Sequence, residues 1–177
     1  MAIQGIDDFK AKLAGGGARS NLFKVTCTFP GYAGGDQEFT SFMCRAAALP
    51  PDDVGTITVP YRGRNLKLPG DRAFDTNWDI TIYNDADMAI RKSFETWMNG
   101  MAQHVNNIGL TNPADYQTDM RVEQLSRDSQ SVVHQYDIRG AFPVSLSQID
   151  LNYDANDAIA EFTVSLAYQY WENAQTS

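Results

Sequence analysis

Cysteine is nearly missing from this chain: two residues, Cys27 and Cys44, in a length of 177. A scaffold held by several disulfides is therefore excluded. Spacing alone leaves one bridge between them open; the expectation is buried free thiols in a reducing compartment. Histidine is equally scarce, with His104 and His134 far apart and no cysteine or carboxylate at metal-ligand spacing. Positive charge is in deficit, 14 Lys and Arg against 22 Asp and Glu, for a net charge of -8. That balance argues against gripping nucleic acid by phosphate neutralisation, which needs clustered cations. No apolar run reaches the roughly 18 residues of a membrane helix. The opening Met1-Ala2-Ile3-Gln4-Gly5 has neither the basic nor the apolar part of a signal peptide. The expectation is a soluble protein made inside a cell. A nucleophile elbow is also lacking, and no serine pairs visibly with a histidine. Gly15-Gly16-Gly17 follows no strand and precedes no Lys-Ser/Thr, so it is not a phosphate loop. No enzyme, cofactor or metal site is expected.

What is present is alternation. From Phe162 onward large apolar residues occupy every second position, Phe162, Val164, Leu166, Tyr168 and Tyr170, separated by Thr163, Ser165, Ala167 and Gln169. Successive strand side chains point to opposite faces, so residues 159–171 read as one long strand with an apolar side and a wet side. Residues 77–83 repeat the pattern, with Trp78, Ile80 and Ile82 opposed by Asp79, Thr81 and Tyr83. Further strands are expected at 22–29, 38–46, 55–59, 65–68, 120–125, 131–138 and 148–153. The 55–59 and 65–68 pair flanks Tyr61-Arg62-Gly63, which implies a projecting hairpin between Pro50 and Arg72. Arg45, Arg62, Arg64, Lys67 and Arg72 concentrate here, a hint of contact with an acidic surface. The turn at 126–129 separates two of the strands, and that at 154–157 folds 148–153 against the last one.

The period changes once. Ile90, Phe94, Trp97, Met98 and Met101 lie on one helical face, predicting an α-helix at about 85–103 with Asp85 or Asp87 at its start. The fold class is thus mainly β, a sandwich or barrel of two packed antiparallel sheets with one flanking helix. With 43% hydrophobic residues, 20–172 suffices for a single domain. Residues 1–19 read as a flexible arm, in which Phe9 to Leu13 form a helical turn or two, and 173–177 as a tail. Asp150, Asp154, Asp157 and Glu161 are the only carboxylate run resembling a hydrolase pair or calcium loop, and they lack the latter's spacing. Solvated acids in a turn are the simpler reading. A lone β-barrel binding a small ligand is the alternative of a different class.

Five blocks in order then carry a resemblance. They are S-N-L-F-K-V from Ser20, F-M-C-R-A-A-A-L-P-P from Phe42, P-Y-R-G-R-N-L-K-L-P-G-D-R-A-F-D-T-N-W-D-I-T-I-Y-N-D from Pro60, I-R-G-A-F-P-V-S-L-S-Q-I-D-L-N-Y-D from Ile138, and F-T-V-S-L-A-Y-Q-Y-W-E from Phe162. Over residues 20–172 the chain resembles the tail tube proteins of contractile-tailed bacteriophages. The resemblance implies six copies in a ring, their inner sheets joined into one ring-spanning β-barrel. Rings stack into a conduit that penetrates the host envelope and passes DNA without specific binding. It further implies sheath, baseplate and tail-terminator partners, assembly in the host cytoplasm, residence in the virion tail and no stable membrane insertion. A bacteriocin or secretion tube without DNA shares the fold. Asp79, Thr81, Glu161, Thr163, Ser165 and Gln169 are candidates to line the bore, expected to be poor in Lys and Arg. Arg62, Arg64, Lys67 and Arg72 are candidates for ring stacking, together with residues 1–18 and those after Trp171.

Overall fold

The computed structural model describes residues 5–13, 17–128, 131–154 and 156–174. Residues 1–4, 14–16, 129–130, 155 and 175–177 lie outside them.

Element order follows the chain. Helix α1 (Ile6–Lys12) precedes β1 (Phe23–Cys27), α2 (Gln37–Met43) and β2 (Cys44–Ala47). Strands β3 (Asp53–Tyr61), β4 (Arg64–Ala73) and β5 (Trp78–Tyr83) lead to α3 (Ala89–Met101) and the short α4 (Pro113–Tyr116). Strands β6 (Thr118–Leu125), β7 (Val132–Leu146), β8 (Glu161–Ala167) and β9 (Tyr170–Asn173) complete the chain. The protein is mainly β, and every strand pairing is antiparallel.

In place of two separate packed sheets, one seven-stranded sheet folds into two wings that share a core, and a two-stranded sheet stands beside it. Strands run β1-β6-β7-β8-β5-β2, with β9 also on β7, while β3 and β4 pair only with each other. The joint is β7, 15 residues long. Its residues up to Ala141 pair with β6, and Tyr136 to Arg139 also face β9; from Phe142 it pairs with β8. Gly140 sits at the change with φ 62, a left-handed conformation glycine adopts without strain. A Cβ there would lie 2.8 Å from Cγ of Gln169, so glycine is also required by space. Among the described residues the sheet does not close on itself; its path ends at β1 and β2.

The core fills the bend. Val25, Val122 and Ile138 from one wing meet Ile80, Phe162, Val164 and Leu166 from the other in a single cluster. Helix α3 covers it with Ile90, Phe94 and Trp97. Phe94 stands between Phe29 (ring centroids 5.0 Å) and Phe162 (6.5 Å). Trp97 donates its indole N–H to the Tyr116 carbonyl at 2.8 Å, satisfying the ring's one polar group. The helix is shorter than foreseen and its N-cap position is Met88, which makes no side-chain cap; Asp85, from outside the helix, accepts the backbone N–H of Ala89 at 2.9 Å.

Several expectations need correction. Residues 38–46 are not one strand: α2 occupies 37–43, capped by Asp36, which accepts from the Phe39 N–H at 3.0 Å. Residues 148–153 form no strand either. β7 pairs with β8 only as far as Val164, and the ladder stops at Ser147: its hydroxyl accepts the Thr163 N–H at 2.9 Å while its carbonyl accepts from Arg91 at 3.1 Å, and 148–153 leave the sheet there. The long last strand is broken at Tyr168-Gln169, opposite the β7 bend. The alternation flips there, so Tyr170 is half exposed while Trp171 is buried. The strand expected at 131–138 runs on through Gly140 and Pro143 to Leu146. Helices α2 and α4 were not foreseen. The two cysteines are free, Cys27 buried and Cys44 partly so.

Candidate functional site

Strands β5 and β8 bring most of the expected polar residues together. Their register places Asp79 opposite Ser165, Thr81 opposite Thr163 and Tyr83 opposite Glu161. Directly opposed residues share a face, so Asp79, Thr81, Glu161, Thr163 and Ser165 form one polar ladder. The other face, Trp78, Ile80, Ile82, Phe162, Val164 and Leu166, is sealed in the core. The ladder satisfies itself: Ser165 donates its hydroxyl to Asp79 at 2.6 Å, and the Thr81 and Thr163 hydroxyls lie 3.2 Å apart. Gln169 is not part of it. It lies past the break, where its N–H bonds the Arg139 carbonyl at 3.0 Å beside Gln117 and Glu172.

Arg45 joins the ladder instead of the hairpin with which the sequence grouped it. The irregular pairing between Cys44 and Ala46 turns Arg45 onto this face, where it pairs with Glu161 and lies 5.8 Å from the Tyr83 ring. Its hydrogen bond to Glu161 raises the guanidinium pKa further, so the cation is permanent but partnered. Nothing in the alternation marked Arg45, because a bulge leaves no periodic signal. Next to it, burial pushes the Cys44 thiol up to about 11, and Cys27 is raised by burial too, so both thiols stay protonated and unreactive at neutral pH.

The hairpin is more extensive than foreseen, 53–61 with 64–73, and among the described residues it joins no other strand. Arg62 (φ 46) and Gly63 (φ 79) form its two-residue turn, both in the left-handed region that matches the strand twist. Arg62, Arg64 and Lys67 lie at or near the tip. Arg72 lies at the root, where it pairs with Asp52 at 3.0 Å and belongs to the anchorage. Trp78 donates to the Ala48 carbonyl at 2.6 Å, Trp171 to the Pro51 carbonyl at 2.9 Å, and Phe74 packs edge-on against Tyr168. The terminal Tyr-Trp-Glu thus acquires a role the sequence did not reveal. Trp171 fixes the hairpin root, and Glu172 holds Arg139 (2.5 Å), which also binds Asp119 (2.7 Å). The acids at 150, 154 and 157 lie on an irregular loop, and among the described residues no group of three or more His, Cys, Asp or Glu is placed to hold a metal.

This fold recurs in contractile injection machines. It superimposes with a TM-score of 0.61 on a chain of the PVC sheath–tube complex, an extracellular contractile injection system in its extended state; identity is 16%, covering 92% of this chain and 95% of that one. Sequence carries the assignment further. The phage tail tube protein profile matches residues 18–174. Tail tube protein gp19 of Enterobacteria phage T4 is 36% identical over 168 residues, 94% of this chain and 99% of the relative. The tail tube protein of Serratia phage KSP90 is 30% identical, over 92% of this chain and 93% of that one. The chain belongs to the phage tail tube protein family and is a structural component of the contractile virion tail.

Proposed function

We propose that six copies of this chain close into a ring, that rings stack into a hollow tube, and that DNA passes along a bore lined by the Asp79–Thr81–Glu161–Thr163–Ser165 ladder. The observation that carries this reading is the wing β7(142–146)-β8-β5-β2. It is greasy on one face and polar on the other, and among the described residues it has open edges at β2 and at the end of β7. Open edges invite pairing with another chain, and closing them around a ring removes the aggregation hazard they present. The polar face suits passage of a polyanion. Its hydroxyls and carboxylates are bonded to one another, and its one cation, Arg45, is already matched by Glu161. An unpaired cation would hold phosphate and slow the transit. The basic hairpin stacks one ring on the next. The sheath packs outside, a partner suggested by the sheath–tube complex that contains the similar fold. Baseplate and terminator proteins meet the tube's two ends.

Electron microscopy of the purified chain, alone or seeded with other tail components, tests the assembly and is expected to show rings or tubes. A well-folded solitary particle at every concentration refutes it. Thr163→Lys with Ser165→Lys tests the bore: tubes still form, and DNA ejection from virions carrying the variant is slowed. Ejection at the parent rate removes this face from the lumen.

A further inference from the structure

Two exposed surfaces find no cover within one copy, and strand register sets them at opposite ends of the same strands. The β3–β4 hairpin leaves from the Trp78 end of β5, where Trp78 pairs with Leu166. Residues 147–160 leave from the other end, where Tyr83 pairs with Glu161. Ser147 clamps the base of that loop, its N–H bonding the Thr163 carbonyl at 2.8 Å and its hydroxyl accepting from the Thr163 N–H at 2.9 Å. The six residues of β5 between the two ends span about 20 Å at roughly 3.3 Å per residue.

The surfaces are complementary. On the hairpin, Ile57 lies opposite Leu68 and Val59 opposite Leu66, so all four share one face, and they are 40–56% exposed. A two-stranded ribbon with an uncovered apolar face has little stability of its own. The loop presents Leu151, 91% exposed, and Tyr153, fully exposed. Among the described residues Arg62, Arg64 and Lys67 form no ion pair, and neither do Asp150, Asp154 and Asp157. The arginines near the roots of both surfaces are matched: Arg72 with Asp52, Arg45 with Glu161, Arg91 with Glu95.

We infer that the hairpin of one copy docks on the 147–160 loop of a second copy placed end-on, Arg62 at the turn and Arg64 on the apolar face meeting Asp150, Asp154 and Asp157 around an apolar contact with Leu151 and Tyr153, while Lys67 lies on the hairpin's other face. The inference rests on the tube reading and names the counter-surface for stacking. Donor and acceptor are different surfaces of the same chain, so the contact is head-to-tail and repeats without closing, as axial growth requires. The apolar centre holds the contact and the charges set its partner and register.

The test uses three full-length proteins: the parent, a hairpin variant (Arg62→Glu, Arg64→Glu) and a loop variant (Asp150→Lys, Asp154→Lys, Asp157→Lys). Pelleting and microscopy should show each variant alone forming at least tenfold less tube than the parent. Mixing the two restores tubes, because each reversed hairpin then finds a reversed loop. A loop variant that polymerises like the parent, or a mixture of folded variants that does not recover, overturns the docking. Should a charge variant fail to fold by circular dichroism, Arg64→Cys with Asp154→Cys replaces it. Mild oxidation of its tubes must then give a ladder of disulfide-linked chains, and absence of the ladder overturns the proposal. A parent that assembles nothing refutes the tube reading itself; parent tubes indifferent to the loop reversal refute only this contact.

Discussion

Strands β5 and β8 and strands β3 and β4 carry the same alternation of apolar and polar residues, with opposite outcomes. In β5 and β8 the apolar half is sealed: Ile80, Ile82, Val164 and Leu166 have no exposure. In β3 and β4 it lies open, with Ile57 53% and Leu66 56% exposed. The first pair has neighbours on both sides and α3 beneath; the second has only its own partner. Alternation therefore states that a strand has two unlike faces, and says nothing about whether the cover comes from the same copy. In the tube proposed above, that distinction separates residues that hold the fold from residues that hold the assembly.

Substitutions can break this comparison. The largest effect is expected on the sealed side. Phe162→Ala removes a buried ring that touches Phe94 and should cost about 3–5 kcal/mol in denaturant unfolding of the unassembled chain. A cost near zero would mean that β8 is not core. Gly140→Val forces a branched side chain into a left-handed conformation and against Gln169, with an expected cost of about 1–3 kcal/mol. Its melting temperature should fall, and proteolysis should report a loosened junction between the wings. Trp171→Phe keeps the ring but orphans the Pro51 carbonyl, for about 1 kcal/mol. Hydrogen exchange in residues 51–75 should rise more than in β5, since the root is released while the sheet is not. The smallest stability effect belongs to Ile57→Ser with Leu68→Ser. These exposed positions should change unfolding by no more than about 0.5 kcal/mol, while tube formation drops sharply. Loss of stability without loss of assembly would reverse the roles assigned to the two regions.

Local pattern read well where a segment satisfied it with immediate neighbours. The face of α3 carried by Ile90, Phe94 and Trp97, the alternation of β5 and β8, and the hairpin turn at Arg62-Gly63 were all legible. The pattern misled where a side chain cut a ladder short. Ile149, Leu151 and Tyr153 alternate as a strand would, but the pairing ends at Ser147, whose hydroxyl takes the Thr163 N–H while Arg91 holds its carbonyl. It also misled at 37–43, where Phe42 and Cys44 suggested a period of two. Asp36, a helix cap three residues before Phe39, was the competing signal.

The sequence alone determined which residues are two-faced, where charge of one sign concentrates and which family the blocks resemble, because these are properties of neighbours along the chain. Only the tertiary structure decided that Arg45 stands beside Glu161, that Gln169 leaves the polar ladder, that Trp171 pins the hairpin and that the basic tip and the acidic loop face away from each other. Each depends on strand register or on a bulge. A slip of one residue in either would turn every side chain to the opposite face without altering a letter of the sequence.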